Sequence, residues 1–120
     1  MESGQPEKTA GKPEIPYENF AALDLRMARV ISAERHPNAD KLLVLRIDLG
    51  EAGERQIVAG IAQHYVPEEL AGKSIVVVAN LKPARLRGIE SRGMLLACSH
   101  DGRVVLLTAM DEVAPGATVS

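Results

Sequence analysis

The chain has 120 residues, 46% of them hydrophobic and 25% charged, and its formal net charge is −2 at pH 7. This length suits one domain with a single core, the apolar content excludes a wholly disordered chain, and the apolar runs are too short to cross a bilayer. One cysteine and no apolar secretion signal exclude an internal disulfide and predict a cytoplasmic protein.

The N-terminal residues predict a tail followed by the folded domain. Residues 1–16 contain three prolines and almost no apolar side chains, so we expect a disordered tail or linker there. The folded domain is expected to span residues 17–120. A short helix over residues 17–23 follows Pro16, and Tyr17, Phe20 and Leu23 are spaced to share one of its faces. Residues 25–35 then suit a long, half-exposed strand.

Residues 43–61 predict a second and a third strand. Leu43, Leu45, Ile47 and Leu49 alternate strictly with other residues, which is typical of one buried strand face. Residues 50–54 suit a hairpin loop, and residues 55–61 suit the strand that returns from it.

The second half of the chain predicts a short helix and then more strands. Residues 62–70 suit a helix with Pro67 in its first turn, and residues 74–80 suit a buried strand rich in valine. Residues 94–99 and 104–107 predict a hairpin that turns at residues 100–102. Residues 110–120 are irregular, with room for a closing strand. A helix inserted between the third and fourth short strands predicts an all-β, five-stranded OB-fold barrel.

The loop at residues 36–42 carries one candidate phosphate-binding side chain. Asn38 and Asp40 can hydrogen-bond to their own backbone, and Pro37 stiffens the turn, so turn chemistry by itself explains most of this sequence. Such a loop also exposes Lys41, where it can meet a phosphate.

A cationic segment follows the valine-rich strand. Lys82, Arg85, Arg87 and Arg92 stand against Glu90 alone, which gives four positive charges minus one negative, or +3, in a chain that is acidic overall. A solvated turn with arginines lying over apolar surface would also explain this charge pattern. Alternatively, the forked guanidinium groups bind phosphate oxygens, because their geometry matches.

Two further residues accompany the cationic segment. Ser91 can donate a hydrogen bond to a phosphate or a base edge, and Met94 can pack on a base or a sugar. A methionine that opens an apolar strand is, however, more often part of the core. Because the chain has only three aromatic residues, we expect recognition of shape and phosphates rather than stacking on unpaired bases.

Catalytic and metal-binding patterns are absent from the sequence. His36, His64 and His100 show no ligand spacing, and one cysteine with scattered carboxylates does not make a metal site. No arrangement of nucleophile and base is recognisable. We therefore expect no metal, no cofactor, no catalytic residue and no enzymatic activity in this chain.

Taken in order, the motifs resemble the tRNA-binding domain of bacterial methionyl-tRNA synthetases, which occurs at their C-terminus or as a separate beta subunit. The same domain occurs in free-standing structure-specific tRNA-binding dimers and in endothelial monocyte-activating-polypeptide-like proteins. The resemblance covers about residues 17–120. It is carried by segments 24–26, 36–42, 48–50, 57–61, 65–70, 80–83, 87–88 and 91–94.

The resemblance implies a fold, a ligand and a set of contacts. The fold would be an OB-fold whose C-terminal extension forms a homodimer interface. The ligand would be tRNA, bound at its outer corner by shape, with the catalytic part of methionyl-tRNA synthetase as a further partner. Arg85 stands where relatives often have lysine, and Arg92 where many have glutamine. The implied tRNA-binding residues are Lys41, Asn80, Lys82, Arg85, Arg87, Ser91, Arg92 and Met94.

Two other functions stay open at this point. A related secretion chaperone shares the fold and would bind unfolded polypeptide, although it differs at residues 38–42 and 91–94. A domain from a phenylalanyl-tRNA synthetase beta chain shares the loop at residues 36–42, but it differs at residues 80–83.

Overall fold

The computed structural model describes residues 11–120, so most of the predicted tail lies outside the described residues. Helix α1 (Tyr17–Ala21) begins directly after Pro16, as predicted. Its apolar side chains do not pack into the core: the ring centroids of Tyr17 and Phe20 lie 5.9 Å apart, and both rings are exposed. No helix within the described residues is long and apolar enough to cross a membrane.

Within residues 11–120, four strands form most of the barrel wall, and six shorter strands complete the fold. The main sheet is antiparallel in the order β3-β2-β1-β4-β7, and β10 pairs with the start of β1. The wall strands are β1 (Leu25–Arg35), β2 (Leu43–Asp48), β3 (Glu54–Ala59) and β4 (Ser74–Val78). The short strands are β5 (Ala84–Leu86), β6 (Ile89–Ser91), β7 (Met94–Leu95), β8 (Ala97–His100), β9 (Arg103–Leu106) and β10 (Thr118–Val119).

The long first strand lets the sheet curl into a barrel. The first half of β1 pairs with β4 and its second half pairs with β2, with a shift of register between Val30 and Ser32. Such a bulge bends a strand and increases its twist. On the far side, the backbone N–H of Arg92 donates to the carbonyl of Gln56 on β3 at 2.9 Å. The result is a nearly closed, five-stranded antiparallel barrel, which confirms the predicted OB-like fold.

The barrel interior comes from the alternating residues of β2. Leu43, Leu45 and Ile47 are at most 1% exposed, and so is Leu49 directly after the strand. Removing such a side chain from water stabilises the fold by about 1.5–3 kcal/mol. The alternation therefore predicted the inward face correctly, because successive side chains of a strand point to opposite sides.

The helix predicted between the third and fourth strands is a single 3-10 turn over Pro67–Glu69. Pro67 occupies its first position, where a missing N–H costs nothing. Leu70 follows the turn and is only 2% exposed, so it anchors the connection to the core.

Within residues 11–120, two β-hairpins flank this barrel, and the β8–β9 hairpin turns where the sequence predicted, although its first strand is shorter than predicted. The predicted strand over residues 94–99 is divided at Leu96: β7 stays on the barrel against β4, whereas β8 leaves the barrel and pairs with β9. The cationic segment was expected to form a turn, but residues 84–91 form a complete hairpin in which β5 pairs with β6.

Candidate nucleic-acid interface

The loop at residues 36–42 is closed by its own backbone. The N–H of His36 donates to the carbonyl of Leu42 at 3.1 Å, and the N–H of Leu42 donates to Ala39 at 3.2 Å. The N–H of Ala62 donates to the carbonyl of Lys41 at 3.1 Å, which ties the loop to the barrel. The backbone of Lys41 is therefore fixed, while its side chain is exposed.

His36 joins this loop to the β5–β6 hairpin. Its side chain is buried, with 5% exposure. Its Nδ1 accepts a hydrogen bond from the N–H of Asn38 at 2.9 Å, and its Nε2 lies 3.0 Å from the carbonyl oxygen of Leu86. Because an N–H can only donate, Nδ1 must be unprotonated, so Nε2 carries the proton and donates it to Leu86.

The β5–β6 hairpin turns tightly at Arg87 and Gly88. Both residues have positive φ, 52° and 92°, which is the pattern of a two-residue type I′ turn. Nη1 of Arg85 donates to the carbonyl of Gly88 at 2.8 Å and braces the turn from one side. Arg87 thereby comes to line the same surface groove as the loop residues Asn38, Ala39, Asp40, Lys41 and Leu42.

Ser91 lies inside the structure rather than on the predicted binding surface. It is 3% exposed, and its hydroxyl accepts from the N–H of Val58 at 2.9 Å and donates to the carbonyl of Gly93 at 3.0 Å. The hydroxyl has a single proton, which this contact with Gly93 uses. Ser91 is thus placed to hold the end of the hairpin against β3.

The turn from β6 to β7 requires a glycine. Gly93 has a φ of 131°, and a Cβ there would stand 3.0 Å from the carbonyl oxygen of Val78. Glycine adopts this conformation without a steric cost. The chain then returns to the barrel at Met94, whose side chain is 38% exposed, so the structure leaves it accessible to a ligand.

Asn80 connects the end of β4 to the end of α1. Its Oδ1 accepts from the N–H of Asp24 at 2.8 Å, and its Nδ2 donates to the carbonyl of Ala22 at 2.7 Å. Both ends of the amide are engaged within the chain, although the residue itself is exposed.

Five exposed cations form what we call the cationic surface. None of them makes an ion pair with a carboxylate among residues 11–120. The structure brings two of them, Lys41 and Arg87, into one groove. The whole set is Lys41, Lys82, Arg85, Arg87 and Arg92.

Three arginines of the barrel make ion pairs with carboxylates. Arg29 lies 3.9 Å from a carboxylate oxygen of Glu112, and Arg46 lies 3.1 Å from one of Glu54. Arg26 donates to Asp24 at 2.7 Å, and this hydrogen bond and the charge of the carboxylate raise the pKa of the guanidinium above its usual value. The charges of these three arginines are thus compensated within the protein, whereas no charge of the cationic surface is paired with a carboxylate among residues 11–120.

Two residues with a part in this arrangement were missed by sequence reasoning. The sequence places His36 in the 36–42 motif and excludes it as a metal ligand, but it does not predict its contact with the hairpin. Gln56 belongs to no predicted site, although its Nε2 donates to the carbonyl of Glu90 at 2.9 Å. Nothing local in the sequence indicates either contact, because each joins residues more than thirty positions apart. Within residues 11–120, no group of three or more metal-binding side chains is gathered.

The comparisons with known proteins agree with the sequence motifs. Residues 25–118 match the model of a family described as "Putative tRNA binding domain". A methionine–tRNA ligase from Archaeoglobus fulgidus is 53% identical over 116 residues, which are 97% of this chain and 18% of that protein. The chain therefore spans less than a fifth of the length of this relative.

Solved structures of similar size share the fold. A MetRS-related protein from Pyrococcus horikoshii has a TM-score of 0.83 and 38% identity, covering 91% of this chain and 100% of that one. Chaperone CsaA from Bacillus anthracis has a TM-score of 0.82 and 38% identity, covering 90% and 100%. Because the family match includes well over half of its residues, this chain belongs to the family of non-catalytic tRNA-binding domains.

Proposed function

We propose that the chain binds the outer corner of tRNA through the cationic surface, and that it recognises phosphates and shape rather than base sequence. The observation that carries this proposal is the groove that Lys41 and Arg87 line together. Five exposed cations lack a carboxylate partner among the described residues, on two segments that His36 joins. Phosphates supply the missing negative charge, and Arg binds them through two parallel hydrogen bonds.

The other predicted site residues have two different roles in this proposal. Met94 is accessible and contacts a base or a ribose through its apolar side chain. Ser91 and Asn80 act as positioning residues, because their polar atoms already bond to the protein backbone. They hold the two ends of the segment that carries the cations.

The methionine–tRNA ligase relative suggests the setting in which the domain works. We infer that it acts as a C-terminal domain or beta subunit of methionyl-tRNA synthetase. It would add a second contact surface for tRNA, so that the catalytic part meets its substrate at a higher effective concentration. The similarity over 97% of this chain supports the inference.

A homodimer is the second part of the proposal. Large apolar side chains are exposed at both ends of the described chain, whereas most monomeric proteins avoid large exposed apolar patches. Burial of such side chains against a second copy would remove them from water. Those side chains are Ile15, Tyr17, Phe20 and Leu23 near the N-terminus, and Leu107 and Met110 near the C-terminus.

The first experiment measures filter binding of unfractionated tRNA, single-stranded RNA and double-stranded DNA over a series of salt concentrations. We expect tighter binding of folded tRNA and a steep fall of affinity with salt. In the double variant Lys41→Ala/Arg85→Ala, affinity should fall and the salt slope should decrease by about one unit for each lost phosphate contact.

The control for this experiment is Lys73→Ala. Lys73 is also exposed, but it lines a different groove together with Tyr65 and Leu70. Its removal takes away one positive charge, half of the charge that the double variant loses, and it should leave tRNA binding within about twofold of the original protein. Equal loss in both variants would show that overall charge, not the cationic surface, is responsible. Light scattering at micromolar concentration tests the dimer, and the mass of a monomer would refute it.

The similarity to chaperone CsaA and the exposed apolar side chains favour a second candidate function, the binding of unfolded polypeptide. A labelled unfolded protein distinguishes the two. If it binds and excess tRNA does not displace it, the chaperone function is supported. If tRNA binds tightly and unfolded protein does not, this alternative is excluded.

A further inference from the structure

The cationic surface lies on two segments, the loop at residues 36–42 and the segment at residues 82–92. Among the described hydrogen bonds, only that of the His36 side chain joins the two. His36 lies fifty residues from Leu86 in the sequence, and its ring is almost fully buried. Both ring nitrogens have backbone partners: the N–H of Asn38 for Nδ1 and the carbonyl of Leu86 for Nε2. The proposed recognition of tRNA does not itself use this side chain, since both ring nitrogens are engaged within the protein and the ring is buried.

We infer that His36 is a positioning residue that holds Lys41 and Arg87 in one phosphate-binding unit, and that it does so only as the neutral imidazole with its proton on Nε2. In this form the ring accepts from the loop and donates to the hairpin at the same time. The other neutral form would place two donors, Nδ1–H and the N–H of Asn38, against each other, and would leave no donor for Leu86.

The hairpin needs such a link because its own pairing is short. Strands β5 and β6 have three residues each, and a two-stranded hairpin on its own is marginally stable. The β6 end is held by Ser91 and Gln56. His36 holds the β5 end, next to the turn that carries Arg87. The loop is less dependent on the ring, because backbone hydrogen bonds already close it.

This inference rests on the proposed function and makes it more specific. If Lys41 and Arg87 bind neighbouring phosphates, the spacing between them matters as much as their charge. A hairpin released from His36 would keep all five cations but lose the geometry that lets two of them act together.

Two variants separate the two hydrogen bonds of the ring. In His36→Asn, the amide oxygen can replace Nδ1 as the acceptor for Asn38, but the side chain is too short to reach Leu86. In His36→Gln, the longer amide can donate to Leu86 from the place of Nε2. We expect His36→Asn to weaken tRNA binding by about tenfold and His36→Gln by no more than about threefold.

A double-mutant cycle of Lys41→Ala and Arg87→Ala measures the coupling directly. In the original protein the two losses of affinity should be non-additive, because residues that contact one ligand segment are coupled. In the His36→Asn background the same two losses should become additive. A merely structural role for His36 would lower stability without changing this coupling, and thermal unfolding of each variant is the control.

Nuclear magnetic resonance of the free protein decides the inference without tRNA. Nitrogen-15 shifts should show the Nε2–H form of His36, and amide exchange in residues 84–91 should be faster in His36→Asn than in His36→Gln. The Nδ1–H form, or equal exchange in both, would overturn the inference even if tRNA binds. If tRNA does not bind, the proposed function fails, and these measurements still establish or refute the link itself.

Discussion

The β5–β6 and β8–β9 hairpins have the same turn geometry but different surroundings. Each turns through two residues of positive φ that end in glycine: Arg87 at 52° with Gly88, and Asp101 at 51° with Gly102. The first hairpin carries arginines beside a lysine-bearing loop. The second leads into apolar side chains such as Leu107, which is 39% exposed. A shared turn type thus determines the shape of a hairpin and not its partner.

The side-chain hydrogen bonds between the barrel and the two hairpins also run in opposite directions. Side-chain donors of the barrel, including Gln56, bond to carbonyls of the first hairpin. For the second hairpin the barrel supplies acceptors: Nδ1 of His64 lies 3.4 Å from the N–H of Val104, and the hydroxyl of Tyr65 accepts from Leu106 at 3.1 Å. Under the proposed function, the two hairpins divide the contacts: the first binds phosphates, and the second contacts another copy of the chain.

The largest effect is expected from a change to the exposed apolar residues that follow the β8–β9 hairpin. Leu107→Asp places a charge in the proposed dimer interface, where burial of an unpaired carboxylate is costly. We expect the dimer dissociation constant to rise by about a hundredfold or more, as measured by sedimentation equilibrium. Leu107→Met is the matched control and should dimerise normally. A Leu107→Asp protein that remains a dimer would remove this residue from the interface.

A change in the first turn tests the cationic side. Arg87→Asp gives both hairpins an Asp-Gly turn, which type I′ geometry tolerates well, so the melting temperature should not fall. Binding of tRNA should weaken by roughly 30-fold, because one phosphate contact is lost and replaced by repulsion. The reciprocal variant Asp101→Arg should change tRNA affinity by less than about threefold. An equally large effect of Asp101→Arg would contradict the division between the two hairpins.

The hydroxyl groups that anchor each hairpin provide a matched pair of smaller changes. Ser91→Ala leaves the N–H of Val58 without its acceptor, and Tyr65→Phe does the same to Leu106. Each should reduce the free energy of unfolding by about 1–2 kcal/mol in chemical denaturation. Ser91→Ala should mainly weaken tRNA binding, whereas Tyr65→Phe should mainly weaken dimerisation. If both variants weakened tRNA binding and dimerisation in the same proportion, the two hairpins would not be independent.

The smallest effect concerns the carboxylate in the Lys41 groove. Asp40 is exposed and lines that groove together with Lys41 and Arg87. Asp40→Asn removes a negative charge close to the bound phosphates and keeps the turn chemistry of the loop. Affinity for tRNA should rise by about two- to threefold at low salt, and the gain should disappear at high salt because exposed charges are screened. A loss of affinity would instead indicate that Asp40 accepts a hydrogen bond from the RNA.

The sequence determined the features that depend on local order along the chain. Alternation of Leu43, Leu45 and Ile47 predicted a buried strand face, because the side-chain period of a strand is two residues. The Asp101-Gly102 pair predicted the second hairpin, because few residues accept positive φ. The charge of residues 82–92 and the motifs around it predicted a tRNA-binding family, which the comparisons confirm. The individual contact residues remain predictions.

The tertiary structure decided which distant groups meet. Residue periodicity gives no sign that the imidazole of His36 reaches the carbonyl of Leu86, or that the hydroxyl of Ser91 is used inside the protein. The division of one predicted strand at Leu96 likewise follows from pairing with two different partners, β4 and β9. Hydrogen bonds between segments depend on how the barrel closes, and that closure is a property of the whole chain rather than of any local window.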